Sequence, residues 1–61
     1  MQEYYNKVLE FFEGDKEKTD IWFESPNPLL GYHSPNLMIR IGREDKVKKF
    51  IDNALDENQL P

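Results

Sequence analysis

Two prolines in alternate positions, Pro26 and Pro28, constrain this chain more than any other feature. Each ring fixes its own φ, removes an N–H donor and pushes the residue before it out of the helical region. Ser25-Pro26-Asn27-Pro28 therefore divides a chain that otherwise carries helical patterning. The residues after the prolines are not linker-like. Leu29-Leu30-Gly31-Tyr32-His33 holds two large apolar residues, a glycine able to take positive φ, and an aromatic ring, whereas flexible linkers are rich in glycine, serine and charge. The segment from residue 25 to residue 35 reads as a structured loop.

On either side the spacing of apolar residues predicts helices. Tyr5, Val8, Leu9 and Phe12 fall at relative positions 0, 3, 4 and 7, one face of an amphipathic helix over Glu3 to Glu13, with Gly14 as its C-terminal cap. Asp15 is suited to cap a second helix, about Lys16 to Glu24, which ends in Ile21-Trp22-Phe23. Asp15, Glu17 and Asp20 place carboxylates toward the positive end of its dipole.

Beyond the loop, Ser34 as N-cap and Pro35 at the first helical position open a short helix to about Ile41. It is expected to bury Leu37, Met38 and Ile41 and to stop at Gly42. The last helix, about Arg43 to Leu55, sets Val47, Phe50, Ile51, Ala54 and Leu55 at 0, 3, 4, 7 and 8. Glu44 with Lys48 and Asp45 with Lys49 form i, i+4 pairs on its outer side. From residue 56 a flexible polar tail is expected, ending in Leu60-Pro61. The expected architecture is all-α. It is a bundle of four short helices in one domain over residues 1–61, with its core at about residues 9–55.

Composition narrows what such a bundle can do. In 61 residues a single core leaves only ~3–5 kcal/mol of net stability without a disulfide, a metal or a partner. There is no cysteine, one histidine cannot hold zinc alone, and the D-x-[DN]-x-[DN]-G calcium loop is absent. No cofactor or metal is expected. Eight aromatics argue for a compact core rather than disorder. A formal net charge of -4 repels a phosphate backbone, so the chain by itself is a poor nucleic-acid binder. Met1-Gln2-Glu3-Tyr4 shows no leader pattern, and no apolar run nears the ~20 residues that span a bilayer. A cytoplasmic location is expected by default.

Catalytic chemistry finds no foothold in the sequence. The twelve carboxylates sit mainly on polar helix faces or at helix starts, where solvation and capping explain them. Ser25 and Ser34 both precede proline at segment boundaries, so capping suits them better than nucleophilic attack. His33 is the only side chain with an unperturbed pKa near neutrality, and no serine or cysteine motif surrounds it. The three glycines are punctuation, not a phosphate loop. No enzyme activity is expected. Trp22 reads as a core anchor. A chain this small cannot bury all its aromatics together with Leu29, Leu30, Met38 and Ile41, so some apolar surface should remain for a partner.

From about Leu9 to Leu55 the chain resembles the toxin-binding domain of Xre/MbcA/ParS-type antitoxins. The resemblance rests on an ordered combination: Trp22-Phe23-Glu24-Ser25-Pro26-Asn27-Pro28-Leu29-Leu30-Gly31, then Ser34-Pro35, then Met38-Ile39-Arg40-Ile41-Gly42-Arg43, then Lys46-Val47-Lys48-Lys49-Phe50-Ile51. Trp22, Pro26, Asn27, Gly31, Ser34, Pro35 and Gly42 are the positions that carry the pattern. It implies neutralisation of a cognate protein toxin by docking, in many such domains a RES-type toxin that consumes NAD. The implied partner-binding residues are Leu29, Leu30, Tyr32 and His33 in the loop and Leu55 on the closing helix. The alternative is a homodimerisation or general interaction domain on the same fold. Three features depart from the pattern. The 61 residues hold no helix-turn-helix of the kind usual before this domain, which leaves a fragment, a stand-alone antitoxin or a reused domain as alternatives; Tyr32 stands where a second glycine is frequent, and the tail Asp56-Glu57-Asn58-Gln59 lacks an arginine-and-glycine ending. The family's DNA-binding role is not carried over.

Overall fold

A computed structural model describes residues 1–60; Pro61, the last residue of the expected tail, lies outside the described residues. The chain is all-α: α1 Gln2–Phe11, α2 Lys16–Glu24, a 3-10 turn Pro28–Leu30, α3 Pro35–Arg40 and α4 Glu44–Asp56. The helices close a ring. α1 packs on α2 and α4, and α3 packs on α2 and α4. The result measures 28 × 22 × 20 Å.

Local chemistry sets where each helix starts and stops. Asp15 caps α2 by accepting from the Lys18 N–H at 3.0 Å, and Ser34 caps α3 by accepting from the Leu37 N–H at 3.0 Å with Pro35 in the first turn. The C-terminal ends of α1, α3 and α4 share one device. In each, the residue after the cap takes a left-handed conformation, and two N–H groups turn back onto the last free carbonyls. For α3 that residue is Gly42 at φ 85°, with Arg43 N–H donating to the Met38 carbonyl at 2.8 Å. For α1 it is Glu13 at φ 58°, one residue before the expected Gly14, and the Gly14 N–H reaches the Leu9 carbonyl at 2.9 Å. For α4 it is Asn58 at φ 56°, and the Gln59 N–H reaches the Ala54 carbonyl at 2.7 Å. Where the sequence suggested a flexible tail from residue 56, the helix thus runs through Asp56, then closes, and Leu60 packs against the core.

Val8, Trp22, Phe23, Met38, Val47 and Ile51 form the buried core, one or two residues from each helix. The Trp22 indole is its hub. It lies parallel to the Phe50 ring at 6.2 Å between centroids and edge-on to Phe23 at 5.0 Å. Tyr5 stacks on Phe23 at 5.6 Å. Offset-stacked and edge-to-face rings gain beyond their buried area. Trp22 is thus buried in the core, 8% exposed, as a core anchor would be.

Two expectations are corrected. Ile41 is 53% exposed rather than buried. It is the C-cap residue of a six-residue helix, where the chain turns into α4 and nothing covers it. Among the described residues Asp45 and Lys49 form no ion pair, while Glu44 and Lys48 do at 3.1 Å.

Candidate docking surface

The surface is built on the loop between α2 and α3. Asn27, itself buried, is the organiser. Its side-chain oxygen accepts from the Leu29 N–H at 2.9 Å, and its carbonyl accepts from the N–H groups of Leu30 and Tyr32, both at 2.9 Å. Its own N–H donates to the His33 carbonyl at 3.1 Å, an isolated antiparallel bridge that closes the loop at its base. An Asx turn on the buried Asn27, followed by a tight 3-10 turn with no buried residue of its own, fixes the backbone.

The turn leaves its apolar side chains outside. Gly31 and Tyr32 both take left-handed conformations, at φ 67° and 64°. Glycine does so at no steric cost, and tyrosine does not. This reversal throws the Tyr32 side chain outward, leaving it 74% exposed, and Leu29 is 68% exposed. Leu30 is half-buried and His33 is exposed. Leu29 forms a ridge between two shallow grooves. One, about 430 Å³, runs between Leu29, Leu30, Met38 and Ile41 and is flanked by Arg43 and Lys46. The other, about 480 Å³, lies between Leu29, Phe11, Phe50 and Leu60.

Of the residues expected to meet a partner, Leu29, Leu30, Tyr32 and His33 thus lie together. Leu55 does not join them. It is half-buried against the core and lines a separate depression with Lys7, Glu10 and Asp52. Of the pattern residues, Trp22, Asn27 and Pro35 are buried, Gly31 and Gly42 act through the backbone at turn and cap positions, and Asn27 and Ser34 cap with their side-chain oxygens. Pro26 is exposed at the loop entrance. Arg43 and Lys46 are surface residues that the sequence did not assign to a site, and Ile41 and the half-buried Phe50, both expected in the core, also border the grooves. A signal was available: residues 40–49 carry five of the chain's eight cations.

Elsewhere the polar groups bind the helices to one another. The Tyr4 hydroxyl donates to Asp52 at 2.8 Å and the Lys7 ammonium to the same carboxylate at 3.2 Å. These two donors hold the Asp52 carboxyl below its ordinary range, Tyr4 first. The same contacts raise Tyr4 and Lys7. Tyr5 donates to Asp20 at 2.6 Å and is raised by that bond and by desolvation. Asn36 donates to Glu24 between α2 and α3. Each of these carboxylates fastens one helix to another.

Among the described residues there is no cluster of three or more side chains able to hold a metal, and no helix long and apolar enough to cross a membrane. Compared with known proteins, the chain matches no family model, no curated protein and no solved structure.

Proposed function

We propose that this chain is a non-catalytic docking module that neutralises a cognate protein toxin by seating the Leu29–His33 loop on it. One observation carries this reading. Leu29 and Tyr32 are held out into solvent by a turn whose hydrogen bonds are all made internally. Apolar anchors on a preorganised backbone lose little entropy on binding, and such anchors dominate interface energies. The antitoxin resemblance gives the reading its partner class, a toxin of the RES type being the first candidate. The second reading is homodimerisation through the same ridge.

Co-expression with the product of the adjacent gene tests the first reading. A growth-arresting product should be silenced by this chain and co-purify with it, while Leu29→Asp should fold and fail at both. No growth rescue by the parent chain, or full rescue by Leu29→Asp, would remove the proposal. A monomeric mass at every concentration in sedimentation would remove the homodimer.

A further inference from the structure

We infer that the groove between Leu29 and Ile41 takes an acidic amphipathic segment of a partner protein, an apolar side chain entering the groove while flanking carboxylates pair with Arg43 and Lys46. The inference rests on the docking reading and gives it a partner chemistry. The chain is acidic as a whole, yet no carboxylate lines this groove. Residues 1–24 hold seven carboxylates against three lysines, and residues 40–49 hold five cations against two carboxylates. Of those two, Glu44 is engaged by Lys48. Arg43 and Lys46 make no ion pair and no side-chain hydrogen bond among the described residues. Lys49 extends the same sign of charge along the neighbouring depression under Leu29 and Phe50. Leu29, Leu30, Met38 and Ile41 supply the groove's apolar part, beside Gly31 and His33. Unpaired cations beside a partly apolar groove fit apolar anchors bordered by Asp or Glu, and the charges steer the encounter and fix register.

The same geometry disfavours two other occupants. A two-fold dimer through this groove would bring Arg43 and Lys46 of both copies together, because a two-fold contact sets the same patch against itself. A nucleic acid needs a track of cations along its backbone, whereas here a few cations border a partly apolar groove on a chain of net charge -4.

The experiment selects peptides from a random displayed library on the immobilised full chain. Synthetic copies are then titrated in solution against the parent, Leu29→Asp, and the double variant Arg43→Glu/Lys46→Glu. Lys46 lies in the first turn of α4, where acidic residues are favourable, and Arg43 is its exposed N-cap residue, so the double variant should stay folded, as circular dichroism would show. The expected peptides carry an apolar residue bordered by Asp or Glu and lose about tenfold in affinity on the double variant. Their binding should weaken with salt, and exchanging their carboxylates for lysine should switch preference to the double variant. Neutral or basic peptides, or acidic ones indifferent to the double variant, would overturn the acidic partner. If those peptides still failed on Leu29→Asp, docking at the ridge would survive. No recovered peptide would overturn the inference, as would a single-stranded oligonucleotide that binds the parent tightly and loses binding on the double variant. Self-association of the parent through Arg43 and Lys46 would also overturn it.

Discussion

The Tyr4 hydroxyl donates a 2.8 Å hydrogen bond to Asp52, joining the first turn of α1 to the middle of α4 across 48 positions of sequence. Lys7 reaches the same carboxylate and lies 4.4 Å from the centre of the Tyr4 ring, so three side chains form one polar clasp at the α1–α4 contact. The clasp lies at the surface, with the Lys7 and Asp52 side chains 41% and 47% exposed, and solvent screens it.

The clasp gives stability a defined pH dependence. Asp52 is lowered in the fold, so its contribution is present above the unfolded carboxylate value of about 3.9 and is lost as pH falls through the lower folded value. Tyr4 and Lys7 are raised, so their contributions are present below about pH 10 and are lost as pH rises through the folded values. Denaturant melts across pH should show both limbs. In Asp52→Asn both should flatten. Equal pH dependence in the parent and the variant would show that the clasp is not formed.

Trp22→Ala should cost ~3–5 kcal/mol, the range for truncating a buried aromatic, because the indole is 8% exposed and stacks on Phe50. That is comparable with the whole stability of a domain this size. The variant should show no cooperative thermal transition near that of the parent. A sharp transition at the parent's temperature would mean the ring is not the hub of the core.

Asn27→Ala should cost about 1 kcal/mol, because the Leu29 N–H loses its side-chain acceptor. Amide exchange should accelerate at Leu29, Leu30 and Tyr32 before the helices are affected. Uniform exchange across loop and helices would show that Asn27 does not organise the turn.

Tyr32→Gly separates folding from docking. The left-handed backbone at Tyr32 costs an L-residue about 1–2 kcal/mol, and glycine removes that strain while adding freedom to the unfolded chain. The two effects oppose, so stability should stay within about 1 kcal/mol of the parent by chemical denaturation. If the chain docks as proposed, partner binding should weaken because the exposed ring is gone. Full binding by this variant would exclude Tyr32 from the interface. A β-branched residue, as in Tyr32→Val, should destabilise because that shape is the least tolerated at positive φ.

Leu29→Asp should leave the melting curve within about 0.5 kcal/mol, as expected for a surface position. Leu30→Asp should be costlier, because Leu30 is half-buried. A large loss in Leu29→Asp would mean that this side chain packs in the fold rather than standing free.

Residue order alone determined the helices, since apolar spacing, prolines and capping side chains act within a few residues of one another. α2 begins and ends at the expected residues, and Asp15, Ser34, Pro35 and Gly42 do what their chemistry requires. Glu13 and Asn58 show the limit of such local rules. A left-handed position tolerates residues other than glycine once two returning N–H bonds and the packing of the next segment hold it there. Tertiary structure alone decided which apolar residues face outward. Leu29, Leu30 and Ile41 are equally hydrophobic in sequence, but their exposure depends on a turn organised by Asn27 and on a helix that ends before anything covers its last residue. It also brought Arg43 and Lys46 beside Leu29, and Tyr4 onto Asp52. Those pairings join residues far apart in the chain, and they exist only once the four helices have closed around Trp22.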